Sequence, residues 1–256
     1  MKYEGSSPHF SISDRISALF TLLYRVPKDN HRHRKLVFIP TRKGELSQTL
    51  RSLIDWFENI AGWKVHLLQG KPSIFEAIKG ARDEFSFHPT DSIILCHDDI
   101  EILYSSSHFN NLVDTALSVP ETGFAGFAGT PVLNPDACWW RSSSYGKMSG
   151  FCFHGEDLMN PTYFGPPQDV VVLDGVFLAA KGNVWNTIQL KKPQSFIGDW
   201  DFYDIFITFQ AHVKGFRNRG LPITFRHDSP GVPRPTWDMN RRAFTELFRE
   251  HLPART

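Results

Sequence analysis

Residues 92–100 read SIILCHDDI, a short apolar run that stops at a histidine and two adjacent carboxylates. The nearly continuous apolar character of Ile93–Cys96 is typical of a strand buried on both faces of a mostly parallel sheet. Such sheets place ligand sites beyond the carboxyl ends of their strands. Because neighbouring carboxylates repel each other, Asp98 and Asp99 indicate a divalent-cation site at the strand tip. A solvated turn after an ordinary strand explains the pair equally well.

Strand and helix patterns alternate through the first hundred residues. Leu36–Ile39 and residues 63–68 have the composition of core strands, and each is followed by a polar loop. Ser73 and Glu76 form a capping box, which predicts the start of a helix that runs to about Phe85. This alternation predicts a parallel sheet of the nucleotide-binding type.

The second half of the sequence has less regular patterns. A helix is predicted over Phe109–Val119, and the aromatic stretch 131–168 shows no clear periodicity, which is typical of a functional connection. Residues 170–180 return to strand character but are interrupted at Asp174-Gly175. Leu221–Phe225 is predicted to be an edge strand, and further helices are predicted from Ser13, from Asn183, before Gly215 and near the carboxyl terminus.

Composition restricts the class of protein. The chain has 256 residues, 41% of them hydrophobic, and a formal net charge of +1, which suits a soluble α/β protein and gives no indication of a nucleic-acid partner. Its three cysteines show no CxxC spacing, so a reducing, cytoplasmic environment is expected. No signal-peptide pattern or membrane-spanning run is evident. The basic run His31–Lys35 indicates a solvated lead-in, with peripheral membrane contact as the alternative.

Four segments together carry a resemblance to a known family. They are LVFIPTR at residues 36–42, ILCHDDI at 94–100, VLDGVFLA at 172–179, and the run from FYDI at 202–205 to HDS at 227–229. In this order they resemble the GT-A fold glycosyltransferases, in particular glycosyltransferase family 2 and its short bacterial and viral relatives.

The resemblance implies one α/β domain of the GT-A (Rossmann-like) type, with a mainly parallel central sheet flanked by helices and an irregular acceptor-side region. Residues 36–130 would form the nucleotide-sugar-binding half and residues 131–229 the acceptor-binding half of that domain. Residues 1–35, an N-terminal helix and basic lead-in, and residues 230–256, a loop and helix, would flank it.

The resemblance also implies metal-dependent, inverting sugar transfer. The donor would be a UDP-, GDP- or dTDP-linked sugar, the acceptor a hydroxyl of a glycan, glycolipid or glycoprotein, and the cofactor Mn²⁺ or Mg²⁺. Asp99 matches the last aspartate of the family's DxD metal motif, Asp98 its middle position, and His227 a histidine that completes the metal shell in some relatives. A strand-end histidine bonded to a carbonyl oxygen explains His227 equally well. His97 replaces the usual first aspartate, so it could face the ribose, the metal or neither.

A catalytic base is implied at the start of a helix. Asp204 lies eleven residues before Gly215, which is the spacing of the family's catalytic aspartate. Asp201 and Asp199 are rivals, although helix capping is the preferred interpretation for both of them and remains an alternative for Asp204. One departure is Phe206, where relatives often have a second aspartate.

Other substrate contacts are predicted around these residues. The donor-binding set comprises Pro40, Thr41, Arg42, Gln69, His97, Asp98 and Asp99, and the acceptor-binding set comprises Asp174, Gly175 and Trp200. Surface loops explain several of them nearly as well, Asp174-Gly175 could be a bulge, and the aromatic pair Trp139 and Trp140 could be core or could stack on a sugar.

Two other functions remain open from the sequence. A sugar-phosphate nucleotidyltransferase would also use an α/β nucleotide site, but its usual Gly-rich loop after the first strand is reduced here to Gly44. A non-catalytic sugar- or nucleotide-binding module would keep the fold without turnover.

Overall fold

The computed structural model describes residues 33–42, 44–144, 146–155, 160–229 and 232–256. The fold below is that of Arg34–Thr256, which forms one compact unit. The helix predicted from Ser13 and most of the segment 1–35 lie outside the described residues.

Fifteen strands occur in the described part of the chain. They are β1 (Lys35–Thr41), β2 (Lys64–Gln69), β3 (Ser92–Cys96), β4 (Ile100–Ile102), β5 (Thr122–Gly126), β6 (Gly129–Thr130), β7 (Val132–Leu133), β8 (Gly150–His154), β9 (Asn160–Gly165), β10 (Asp169–Val170), β11 (Val172–Leu173), β12 (Phe177–Lys181), β13 (Arg217–Gly220), β14 (Thr224–His227) and β15 (Ala254–Arg255).

Six α-helices occur in the same described ranges. They are α1 (Gln48–Asp55), α2 (Ile74–Phe85), α3 (Ser106–Ser118), α4 (Gly182–Thr187), α5 (Tyr203–Val213) and α6 (Pro235–Leu247). A π-helical segment, Trp56–Ala61, extends α1, and short 3₁₀ turns span Trp139–Arg141 and Arg249–His251. No helix among the described residues is long and apolar enough to cross a membrane.

A seven-stranded sheet in the order β10-β13-β5-β12-β3-β1-β2 forms the centre of the fold. Strands β1, β2 and β3 pair in parallel, as do β5 and β13, whereas β12 is antiparallel to both of its neighbours. Every residue of β3 is buried, as its apolar run predicted. The mainly parallel α/β sheet is therefore confirmed. The carboxyl ends of β1 and β3 and the start of β12 meet at one edge.

The predicted local signals account for the helices that flank this sheet. The Ser73 Oγ atom accepts a hydrogen bond from the Glu76 amide at 3.1 Å, which caps α2 as the capping box predicted. Gly62, with φ of 75°, ends the segment that follows α1. Helix α3 begins three residues earlier than Phe109, because Ser105 accepts a bond from the His108 amide.

A second sheet, in the order β4-β14-β8-β9, packs beside the first and was not predicted. Its β8–β9 hairpin lies in the stretch 131–168, where the sequence shows no periodicity. The prediction that Leu221–Phe225 contains an edge strand is wrong, because β14 lies between β4 and β8. Both partners are distant in the sequence, and a local apolar pattern does not report which strand will be a neighbour.

Candidate active site

An open cleft of about 890 Å³ lies at the edge where the parallel strands end. Its walls come from the tips of β1 and β3, the turn before β12, the start of α5, strands β8 and β14, and the start of α6. Such crevices beyond strand ends are the usual ligand sites of open α/β sheets.

A histidine, an aspartate and a second histidine meet in this cleft. His97 and Asp99 follow β3, and His227 ends β14. Pairing between β4 and β14 sets Ile100 opposite His227, and the Asp228 amide donates to the Asp99 carbonyl oxygen at 3.0 Å. The Asp99 Oδ1 atom therefore lies 3.3 Å from His227 Nε2 and 3.7 Å from His97 Nδ1. We call these three residues the His–Asp–His cluster.

The His–Asp–His cluster has the donor atoms and the unmet bonding capacity of a cation site. Its three ligand atoms lie within 4.8 Å of one another. Among the described residues, Asp99 Oδ1 and His227 Nε2 are buried and form no well-aligned hydrogen bond, although they lie 3.3 Å apart as an ion pair. Buried polar atoms that are left unsatisfied cost about 1–3 kcal/mol each. Imidazole and carboxylate are ligands of divalent transition metals, so the residues present fit a bound divalent cation.

The electrostatics of the cluster keep its carboxylate ionised. Burial, the largest single influence, would raise the pKa of Asp99, but the interactions with His227 and His97 together outweigh it and lower the pKa. Burial likewise opposes protonation of His227, yet the Asp99 carboxylate raises the pKa of that histidine overall. Burial, followed by the proximity of His227, lowers the pKa of His97. A metal ion requires an ionised carboxylate and neutral imidazoles, so its binding would release the proton that Asp99 favours on His227.

Asp204, in the first turn of α5, lines the same cleft. Its Oδ2 atom accepts a hydrogen bond from the Gly175 amide at 2.8 Å. Burial, and then the nearby Asp174 carboxylate, raise the pKa of Asp204 to about 7. A carboxyl group with such a pKa can exchange a proton near neutral pH.

The capping interpretation of Asp199 and Asp201 is wrong for α5. The residue before this helix is Phe202, with φ of 66° and no side-chain capping bond. The Asp201 Oδ2 atom instead accepts a hydrogen bond from Thr236 at the start of α6, and Asp199 pairs with Lys192 at 2.6 Å. Asp201 therefore ties α6 to the cleft wall.

The turn at Asp174-Gly175 packs against the start of α5 and contacts both Tyr203 and Asp204. The Asp174 Oδ1 atom accepts from the Val176 amide at 3.0 Å, and the Gly175 carbonyl accepts from the Tyr203 hydroxyl at 2.9 Å. A Cβ atom on Gly175 would collide with the Tyr203 hydroxyl and lie 2.8 Å from Asp204 Cβ. Only glycine therefore lets this turn approach α5 so closely.

A model of the glycosyltransferase-like family matches residues 86–223, which is more than half of the chain. The chain belongs to the glycosyltransferase-like family. The match includes His97, Asp99 and Asp204 but ends before His227. No curated protein matches the chain. Membership supports glycosyl transfer as the activity, and it implies a nucleotide-sugar donor and an acceptor.

The other predicted donor contacts of this glycosyltransferase are divided between the cleft and the sheet. Pro40, Arg42 and Asp98 line the cleft, and the Arg42 guanidinium lies 5.1 Å from the centre of the Trp200 ring. Asp98 is not one of the three cluster residues, whereas His97 is. Thr41 on β1 and Gln69 on β2 are paired with each other in the sheet, and neither is among the described residues that line the cleft.

The cleft wall that was predicted to face the acceptor is largely aromatic. Trp139 is buried, as the core interpretation has it, while the half-buried Trp140 packs against Trp237 with ring centres 4.7 Å apart. Sequence reasoning missed Trp237 and also His154, which is in register with His227 on the neighbouring parallel strand. Only the spacing of aromatic residues near the carboxyl terminus hinted at Trp237, and nothing local indicated His154.

Proposed function

We propose that the chain is a metal-dependent, inverting glycosyltransferase that moves a sugar from a nucleotide-diphosphate sugar to a hydroxyl acceptor. The observation that carries the proposal is the presence, in one cleft, of the His–Asp–His cluster and of Asp204 with its raised pKa. In this proposal residues 36–130 form the donor half and residues 131–229 the acceptor half. The acceptor is a glycan or glycoconjugate.

His97, Asp99 and His227 are the residues that would hold the cation. When bound, a divalent cation neutralises the charge that develops on the departing diphosphate. Two imidazoles in the cluster favour Mn²⁺ over Mg²⁺, which prefers oxygen ligands and keeps several waters. Asp98, beside the cluster on the cleft wall, is proposed as a further contact to the donor or its cation.

Asp204 is the proposed general base. It would take the proton of the acceptor hydroxyl as that oxygen attacks the anomeric carbon from the side opposite the leaving group. A base with pKa near the working pH combines a useful ionised fraction with sufficient basicity. Asp201 is the weaker candidate because its carboxylate is already engaged by Thr236.

The remaining cleft residues are assigned by their chemistry. Arg42, stacked on Trp200, offers a cation and an aromatic face to the donor phosphates and sugar. Asp174 offers a carboxylate beside Asp204, and the Trp140–Trp237 pair offers an apolar platform for a sugar ring. A cytoplasmic location and peripheral membrane contact remain predictions from the sequence.

A thermal-shift screen of UDP, GDP, dTDP and CMP sugars, each with Mn²⁺ or with EDTA, tests the proposal. Since a bound ligand stabilises the folded state by mass action, one nucleotide class should raise Tm in Mn²⁺ and not in EDTA. The donor so identified is then incubated with an acceptor panel, and the anomeric configuration of the product is read by NMR. A retained configuration would contradict inversion.

Two outcomes would replace the proposal with another function. Release of pyrophosphate from a nucleoside triphosphate and a sugar phosphate would identify a nucleotidyltransferase. Donor binding without hydrolysis or transfer against a broad acceptor panel would identify a binding module.

A further inference from the structure

The buried hydroxyl of Tyr203 lies between the His–Asp–His cluster and the turn that supports Asp204. Its oxygen is 2.9 Å from the Gly175 carbonyl oxygen and 3.2 Å from His97 Nε2. Tyr203 is the first residue of α5, and 5% of its surface is exposed. The hydroxyl therefore has two protein partners and little access to water.

The two partners determine where the protons lie. A carbonyl oxygen can only accept, so the single hydroxyl proton of Tyr203 is donated to Gly175. The phenolic oxygen then offers a lone pair to His97, and His97 Nε2 must carry a proton to complete that bond. In the neutral ring, Nδ1 is left unprotonated, and Nδ1 is the nitrogen that lies 3.7 Å from Asp99 Oδ1.

We propose that Tyr203 is a positioning residue of the cation site, because it fixes His97 as the tautomer whose Nδ1 lone pair faces the cluster. The inference depends on the cation of the proposed function, but it does not depend on the sugar-transfer step. Outer-shell partners of this kind orient ligating histidines in metal sites.

The same hydroxyl joins the cation site to the proposed base. The Gly175 residue accepts from Tyr203 through its carbonyl and donates to Asp204 through its amide. Because a side chain at position 175 would displace the Tyr203 hydroxyl, the absence of a Cβ atom is a condition of this connection. His97, Tyr203, Gly175 and Asp204 thus form one continuous chain of hydrogen bonds.

Titration of metal-free protein with Mn²⁺ by calorimetry, without any sugar nucleotide, tests the inference. Tyr203→Phe removes only the hydroxyl and should weaken Mn²⁺ binding by about 10- to 100-fold. The matched control is Tyr163→Phe, on a tyrosine of β9 that is 55% exposed, which should bind Mn²⁺ as the wild type does. Unchanged affinity in Tyr203→Phe would overturn the inference.

A double-mutant cycle separates positioning from a general structural effect. In a His97→Ala background, Tyr203→Phe should cause no further loss of Mn²⁺ affinity, because its route to the ion has been removed. A further loss equal to that seen in the wild-type background would show that Tyr203 acts otherwise.

NMR of ¹⁵N-histidine-labelled, metal-free wild type gives a readout that needs no variant to fold. His97 should be the Nε2-protonated tautomer, and an Nδ1-protonated ring would overturn the inference. If the wild type binds Mn²⁺ but the tautomer is wrong, the proposed function stands and only the inference fails. If the wild type binds no Mn²⁺, the cation of the proposed function fails together with the inference.

Discussion

Asp99 and Asp204 line the same cleft, yet their surroundings displace their pKa values in opposite directions. Both are affected by burial, which raises the pKa of a carboxyl group. Beside Asp99, His227 and His97 together outweigh burial and lower the pKa; beside Asp204, the Asp174 carboxylate adds to burial and raises the pKa to about 7. One carboxylate is thereby kept ionised for a cation, while the other is suited to proton transfer. The neighbour of each residue, and not its type, separates the two proposed roles.

The largest effect is expected from Asp99→Asn, which removes the negative charge of the carboxylate that is proposed to hold the cation. Transfer should fall below detection, and Mn²⁺ affinity should fall by more than the roughly 100-fold that an outer-shell change can cost. Calorimetry and a donor-turnover assay measure the two effects. Asp114→Asn is the control, since Asp114 pairs with Lys35 on the surface of α3 and does not line the cleft. Intact donor hydrolysis and transfer in Asp99→Asn would remove the basis for the proposed function.

A smaller loss is expected from Asp204→Asn, which removes the base and leaves the cluster in place. The kcat should fall by about 10²- to 10⁴-fold, while Mn²⁺ affinity stays at the wild-type value. Steady-state kinetics at saturating donor measure the first quantity, and calorimetry the second. Asp201→Asn is the comparison variant, and a larger loss of kcat there than in Asp204→Asn would exchange the proposed roles of the two residues.

The effect of Asp174 on the pKa of Asp204 can be tested by the pH dependence of kcat/KM. Because the Asp174 charge raises the pKa of Asp204, Asp174→Asn should lower that pKa. The base form would then persist to lower pH, so the acidic limb of kcat/KM should move toward lower pH. Rates measured between about pH 5 and 9 bracket the raised pKa of Asp204, which is about 7. The surface change Asp83→Asn should leave the limb in place, and a limb that moves upward in Asp174→Asn would contradict the assignment.

The smallest effect concerns stability. The pKa of Asp204 is higher in the folded than in the unfolded chain, so its favourable contribution is present at low pH. That contribution is lost as pH rises through about 7, because the folded state then has to hold a charge that it disfavours. Asp204→Asn should therefore raise Tm by a few degrees at pH 8 relative to wild type, and by less at pH 5. Calorimetric scans at both values measure the difference.

Asp201→Asn is expected to change stability in the opposite direction, because it weakens the hydrogen bond that Thr236 donates to the Asp201 carboxylate. This variant should lower Tm at both pH values. An Asp204→Asn protein that is less stable than wild type at pH 8 would show that its bond to Gly175 outweighs the unfavourable charge.

Patterns within single segments were enough to predict the parallel half of the fold. Strands β1, β2 and β3 are joined by short helical connections, and each is recognised from a local apolar run, a cap or a terminal glycine. The second sheet was not predicted, since β14 pairs with β4 and with β8 across long stretches of chain. Its strands are short, and nothing in their residues indicates which segments will pair.

Part of the candidate site, like part of the fold, was predicted from patterns within single segments. The motif at residues 97–99 and the position of Asp204 were recognised from sequence, and family membership is now shown. The inclusion of His97 in the cluster and the bond from Thr236 to Asp201 depend on side-chain directions that no spacing determines. The link through Tyr203 depends on the close approach of two turns at Gly175.

By itself, the sequence determined the apolar strand that ends at His97-Asp98-Asp99 and the alternation that makes the surrounding sheet parallel. These properties are local, because they follow from the burial and capping preferences of neighbouring residues. Only the tertiary structure decided how closely His227 stands to Asp99, which the resemblance had implied as a shared metal ligand, and that Asp174 lies beside Asp204. Those pairs set opposite pKa shifts, because electrostatic interactions depend on distance in space and not on separation along the chain.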